Sequence, residues 1–490
     1  MPGQHIAGPD NGMQQSDPLG NISSKTDVAA GRRRKQDWPY KNALRRYTVK
    51  TISTIPSAGQ RAGVMGVTAT DQAEIVYDLT EVFVASTGKY PFYGIVRVVE
   101  EIGRELYRLD PSIQFGIFSH GYERFYEVFP SLDSETGEID LNVPQGVRQF
   151  HHLRTRFHTK NRLRDLFLPL IRPVVRYENR RRWKQADMGL TELDMTGKTL
   201  VSTGRPKHMV TALDALDHAG VSYTFVPLLH DMFPLHDFLP EKPKRFPLNF
   251  IGDNCHVIEH AHKIIAISEF TRQDIGNFSH NGLLPPLPEI FTVPLVQQCL
   301  PGKEHARIAV PQHPYILTVG ATLGRKNLEV VLNALLLLKT RGALTPRLVL
   351  AGAPRKHVRK HLQDERYAPI RDLVENVYNP AQNDLIRLYE NALALILPSR
   401  IEGWGLPAGE ALWCGTPPVC STASVLREVC GDLALYFDPN RPEELAEIIT
   451  RLHADTAFTT ALRQRIAAAK PEFRTWADVA RDLRAVLQTR

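Results

Sequence analysis

The sequence predicts an α/β protein with two strand-and-helix domains in tandem, and three observations carry that prediction. Short apolar runs of strand length end in Gly- or Pro-containing turns and pass into helical patterns, the alternation that builds parallel sheets with helices on both faces. A stretch rich in Pro and Gly, Gly276 to Pro311, divides that alternation into halves and marks a domain boundary. The chain has 490 residues, 43% hydrophobic and 23% charged, enough for two or three buried cores.

Taken in order, residues 1–70 are rich in Gly, Ser, Asp, Gln and Pro with few periodic apolar positions, and are expected to be a disordered extension without chemistry. The first domain, 71–305, opens with a strand at Glu74 to Thr80, a loop at Thr87 to Gly94 and a helix from Ile95 to Leu106. Its further strands are expected at Lys198 to Ser202, Ser222 to Leu229 and Lys263 to Ser268. Ser268 is placed to cap the helix that follows. Between them lies a basic insert, 148–184, dense in Arg, with Leu163, Leu166, Phe167, Leu170 and Ile171 at helical spacing and Pro169 and Pro173 expected to break the helix. Such a segment lies on an anionic leaflet or holds a lipid diphosphate; the alternative is a solvated helix packed on the domain. The second domain, 306–470, alternates strands at Tyr315 to Val319, Arg347 to Ala351, Ala392 to Leu397, Pro418 to Cys420 and Leu435 to Phe437 with helices, the clearest being Asn327 to Arg341.

A formal charge of +7 favours anionic partners: nucleotides, lipid diphosphates or a membrane surface. Five cysteines without a C-x-x-C pair signal neither a zinc site nor a disulfide framework, so a reducing, cytoplasmic setting is expected. No apolar run follows Arg32-Arg33-Arg34-Lys35, and no stretch of about 18 apolar residues occurs. Nucleic acid is not an expected partner, because no recognition module is visible.

The most informative stretch is residues 398–420, where an apolar strand runs into a bend carrying Glu402, Gly403, Trp404 and Gly405, then a helix near Pro407 that carries Glu410. The glycines permit close backbone approach, and the helix N-terminus favours an anion such as phosphate. Two carboxylates beside a phosphate site suit sugar hydroxyls. They do not suit a retaining glycosidase, whose pair sits roughly 5 Å apart, because eight residues of helix alone span roughly 12 Å. A capping glutamate and a solvated one are the bland alternative. Arg325 and Lys326 follow the strand Tyr315 to Val319, the address of ligand sites in α/β sheets, and would meet phosphate charge; the alternative is a surface pair at a helix start. His230 follows the strand ending at Leu229 and is a catalytic candidate or a hydrogen-bonded loop histidine.

These residues, with Val319-Gly320-Ala321-Thr322-Leu323-Gly324-Arg325-Lys326, Leu348-Val349-Leu350-Ala351-Gly352 and Leu426-Arg427-Glu428-Val429, resemble family 4 of the retaining, nucleotide-sugar-dependent glycosyltransferases over most of the chain after about residue 70. The resemblance implies the GT-B fold, two Rossmann-like domains facing across a cleft, with 471–490 a helix that returns to the first domain. It implies that Glu402 contacts donor-sugar hydroxyls, Glu410 the nucleotide ribose, and Arg325 and Lys326 the diphosphate. His230 would lie near the reacting centre, and Gly94, Gly405 and Leu406 beside the donor. No D-x-D triplet occurs, so no metal cofactor is expected. A likeness of Asp78-Leu79-Thr80 and Gly94 to Val99 to bacterial exopolysaccharide mannosyltransferases implies GDP-mannose as donor, with UDP-hexoses the alternative. The implied acceptor is a glycan or polyprenyl-diphosphate-linked oligosaccharide, met at the inner face of the plasma membrane. A nucleotide-sugar epimerase and a catalytically silent nucleotide-sugar sensor are the rival readings.

Overall fold

A computed structural model of the chain describes residues 74–86, 94–144, 162–236, 246–302, 307–353 and 356–489. The extension 1–70, the loop before Gly94 and residues 148–161 of the basic insert lie outside them. Seven strands build the first sheet: β1 (Ile75–Asp78), β2 (Gln114–Ser119), β3 (Arg124–Val128), β6 (Thr199–Ser202), β7 (Thr224–Leu229), β8 (Lys263–Ala266) and β9 (Glu289–Thr292), in the order β3-β2-β1-β6-β7-β8-β9. Only the β2–β3 pair is antiparallel; β4 (Ser131–Leu132) and β5 (Ile139–Asp140) form a separate ribbon. The second sheet is wholly parallel, with β10 (Tyr315–Val319), β11 (Arg347–Gly352), β12 (Val374–Tyr378), β13 (Ala394–Leu397), β14 (Pro418–Ser421) and β15 (Leu435–Phe437) in the order β12-β11-β10-β13-β14-β15.

Central strands are apolar on both faces because helices cover both: Val76, Tyr77, Leu317 and all of Ala394–Leu397 are buried. In each sheet the order reverses beside the strand that opens it, between β1 and β6 and between β10 and β13. That reversal leaves a crevice at the strands' carboxyl ends. Among the helices that cover the sheets are α1 (Thr80–Ser86), α2 (Gly94–Leu109), α3 (Arg162–Gln185), α4 (Pro206–His218), α5 (Glu269–His280), α6 (Leu406–Trp413) and α7 (Ser424–Cys430). Gly103 on α2 lets the helix settle on β1, since a Cβ there would lie 3.1 Å from the Tyr77 ring. The last helix, α8 (Trp476–Gln488), opens with a capping box of Thr475 and Asp478, packs on α2 and joins it through Arg484 and Asp110 at 3.0 Å.

Two sequence expectations are corrected. Pro169 and Pro173 do not break the helix of the basic insert: α3 runs continuously from Arg162 to Gln185, each proline removing one N–H without ending the helix. The Pro- and Gly-rich stretch read as connection also holds the end of α5 and all of β9, so the first sheet extends well into it. Strands β2, β3 and β12 went unread; β3 and β12 are edge strands and only partly buried.

Candidate functional site

The site is assembled where the carboxyl ends of the two sheets face each other. From β13 the chain turns through Pro398–Gly405 into α6, with Pro407 in its first turn as expected. Gly405 has φ +99°, and a Cβ there would stand 2.6 Å from Leu426. Gly403 is tighter still: its Cβ would lie 2.2 Å from the His230 carbonyl oxygen, at the end of β7 in the other sheet. Both glycines are thus required by approach of the chain to itself, where the sequence suggested approach to a ligand. The Gly403 carbonyl accepts from the Ser268 hydroxyl at 2.9 Å, while Ser268 caps α5 as expected, accepting from the Thr271 N–H at 2.9 Å.

Glu402 is buried in this joint. Lys326 reaches one of its oxygens at 2.5 Å and Arg325 the other at 2.9 Å. Arg325 also donates to the Ile401 carbonyl at 2.8 Å, and its guanidinium stacks 4.3 Å from the centre of the Phe233 ring, which the first domain supplies. The loop after β10 that delivers these cations is shaped by Gly320, Gly324 and Asn327, all at positive φ. Asn327 pins it: its side-chain Nδ2 donates hydrogen bonds to the Pro398 and Pro439 carbonyls, at 3.2 and 2.7 Å. Burial alone would raise the Glu402 pKa; the Lys326 and Arg325 charges outweigh it and hold the carboxylate at about 2. Asp231, half-buried on the facing edge, goes the other way: burial, with the Glu402 charge adding to it against Arg325, lifts it to about 7. His230 is buried, and burial lowers its pKa, so the ring is neutral. Its Nε2 lies 2.8 Å from the Thr203 carbonyl, which requires a proton on Nε2 and leaves Nδ1 as an acceptor.

Glu410 belongs to a second cluster. The N-terminal turns of α2 and α6 run alongside each other across the cleft, with a Cβ on Gly94 falling 3.7 Å from Leu406. One turn further on, Arg97 forms an ion pair with Glu410, and the Tyr389 hydroxyl donates to the other Glu410 oxygen at 2.7 Å. Burial, then the Glu410 charge, raises the Tyr389 pKa, which keeps the phenol a donor. The structure thus joins Glu402, Arg325, Lys326 and His230 at one focus, and Glu410, Leu406 and Gly94 at another, with Gly405 between them in sequence. Asp231, Phe233, Arg97 and Tyr389 were missed. Arg97 and Glu410 stand 313 residues apart, and no local pattern announces such a pair.

Beside Gly320, at the carboxyl ends of β10, β11 and β12, a recess of about 40 Å³ is lined by Gly352, Leu350, Asn376 and the exposed Tyr378. No group of three His, Cys, Asp or Glu residues spaced for a metal ion occurs among the described residues.

Residues 303–472 match the family described as Glycosyl transferases group 1. The chain is 28% identical over 258 residues to O-antigen chain mannosyltransferase B of Escherichia coli, a stretch covering 50% of this chain and 65% of that protein. It is 29% identical over 168 residues to serotype-specific mannosyltransferase WbdA of Escherichia coli, covering 34% of this chain and 20% of the other. The match thus spans less than two thirds of either relative. Among solved structures, sucrose-phosphate synthase from Thermosynechococcus elongatus superposes with TM-score 0.58 at 16% identity, covering 84% of this chain and 98% of its own. Anabaena Alr3699/HepE in complex with UDP and glucose does so with TM-score 0.53 at 16% identity, covering 85% and 99%. The fold is GT-B, as the sequence led one to expect.

Proposed function

We propose that this chain, whose residues 303–472 form a Glycosyl transferases group 1 domain, is a retaining hexosyltransferase that moves mannose from GDP-mannose to a hydroxyl of a cell-surface glycan. One observation carries the reading: Glu402 is held between Arg325 and Lys326 where the carboxyl ends of the two sheets meet. The carboxylate fixes both cations side by side while leaving them spare N–H donors, since a guanidinium has five and an ammonium three. As the glycosidic bond breaks, charge grows on the departing diphosphate, and preorganised donors at that point lower the barrier. The cations thereby take the part a metal ion would take, and the reading calls for no cofactor.

Each Glu402 oxygen keeps a lone pair beyond the one its cation engages, and these accept donor-sugar hydroxyls; the Glu410 oxygens, engaged likewise by Arg97 and Tyr389, accept the ribose hydroxyls. Neutral His230 offers its Nδ1 to a hydroxyl near the reacting carbon. The acceptor hydroxyl attacks from the face the diphosphate leaves, giving its proton to the departing oxygen; the protein positions the partners and stabilises charge. Likeness to O-antigen mannosyltransferases supports mannose as the sugar. The basic α3 supports a polyprenyl-diphosphate-linked acceptor at the cytoplasmic membrane face, and no described helix is long and apolar enough to cross a membrane.

A calorimetric screen of GDP-mannose against UDP-hexoses, followed by transfer assays with the bound donor, tests this. Tight binding of GDP-mannose with transfer supports it. Preference for a UDP-hexose corrects the donor, turnover without acceptor indicates an epimerase, and binding without any transfer indicates a sensor.

A further inference from the structure

The basic insert takes a form its composition did not reveal. The carboxyl half of α3 is fastened to the first domain: Asn179 and Trp183 are buried, and Trp183 packs against Phe83 and Tyr126 at 5.7 and 4.8 Å between ring centres. Gly121 lets the helix backbone come close, since a Cβ there would lie 2.9 Å from the Arg180 nitrogen. The opposite face is bare. Leu166, Phe167, Leu170, Ile171, Val174 and Tyr177 are 47% to 70% exposed, and Leu166, Leu170, Val174 and Tyr177 follow the i, i+4, i+8, i+11 spacing of one stripe. An apolar stripe of this extent on a protein surface marks a contact site.

The same stripe continues into Arg181 and Lys184, and Arg162–Gln185 holds eight Arg or Lys against Asp165 and Glu178. A second copy would set these cations against their like. The cations at the carboxyl end are partly engaged within the protein: Arg180 donates to the Gly121 carbonyl at 2.8 Å, and Glu178 engages both Arg181 and Arg182. We propose that α3 lies in the interface of an anionic bilayer, with Leu166, Phe167, Leu170, Ile171, Val174 and Tyr177 inserted among the lipid chains and the cations steering approach. The proposal gives physical form to the membrane-bound acceptor and rests on that reading for its purpose only. Insertion, not charge, holds the docked protein, so added salt slows arrival more than it releases bound protein.

The test is co-sedimentation of the full chain with phosphatidylcholine-phosphatidylglycerol vesicles and with phosphatidylcholine alone. Wild type is expected to bind the anionic vesicles, and Leu170→Glu with Val174→Glu to lower vesicle partitioning at least about tenfold, with unchanged thermal unfolding. Arg181→Gln with Lys184→Gln is expected to have the smaller effect. Leu170→Trp provides a second readout, its fluorescence shifting to the blue on vesicle addition. The proposal is overturned if wild type ignores anionic vesicles, or if the glutamate variant binds as wild type does. It is also overturned if the glutamates dissolve a wild-type dimer in solution and leave vesicle binding alone. Transfer to a short soluble acceptor, measured on the same variants, separates the two readings: its absence with vesicle binding intact counts against the transferase alone.

Discussion

Opposed titrations divide the labour between two carboxyl groups that face each other. Glu402 stays ionised because two cations outweigh its burial, and Asp231 accepts a proton near neutrality because nothing comparable offsets its own. Glu402→Ala is expected to keep the fold and to lower kcat at least about 100-fold, the scale of losing a group that acts on the transition state; near-normal turnover would remove Glu402 from the chemistry. For Asp231 the sign follows from the raised pKa. The folded protein holds a proton that the unfolded chain gives up at about 3.8, so this contribution is present at acid pH and is lost as pH rises toward about 7. At about 1.4 kcal/mol per unit it amounts to at most on the order of 4 kcal/mol, less for a side chain partly in water. Asp231→Asn should therefore gain in melting temperature relative to wild type between pH 4 and pH 8, and parallel curves would show that Asp231 titrates normally. Glu402, Arg325 and Lys326 were legible because their motifs are contiguous. Asp231 stood in plain sight beside His230, but its neighbours Arg325 and Glu402 come from the other sheet, and only the fold makes them neighbours.

At the scale of elements, the strand-bend-helix of β13 and α6 was readable from apolar run, glycines and proline alone. What the sequence concealed was the reason for the glycines. Gly403 is the hinge point at which one sheet's loop touches the other's, so Gly403→Ala must push the His230 carbonyl away from 2.2 Å to an ordinary contact. Overpacking of this kind costs on the order of 1–3 kcal/mol, and the shift also parts Glu402 from His230. Chemical denaturation should show that loss, and transfer should fall further than stability explains; a variant with wild-type stability and rate would mean the joint is loose. Ser268→Ala removes both the α5 cap and the bond to the Gly403 carbonyl, an expected loss of about 1 kcal/mol or more. Ser268 was read as a cap from its position alone. That its hydroxyl also reaches across the cleft had no local signature.

For the whole molecule, the alternation of strands and helices gave both parallel sheets, and the motifs at their carboxyl ends gave the cleft. The antiparallel edge β2–β3 escaped because it departs from the strand-helix alternation, and the bare stripe of α3 because it depends on which faces the fold leaves uncovered. The return of α8 to α2 has the largest energetic reach: Trp476, Val479, Ala480, Leu483 and Val486 are buried in it. Removing residues 476–490 should cost on the order of 5 kcal/mol or more, with the first domain unfolding earliest. Hydrogen exchange on α2 would show it, and unchanged protection there would deny α8 its part.

That return also sets a timetable. Asp110 and Arg484 lie 374 residues apart, so the partner that covers α2 leaves the ribosome long after α2 itself. At about 5–20 residues per second the wait is roughly 20 to 75 s. Throughout it, a helix whose outer face belongs under α8 stands open to chaperones and proteases in the nascent chain. The protein is thus most vulnerable during its own synthesis, and ribosome-bound chains halted before Trp476 should be cut within α2 where finished chains resist.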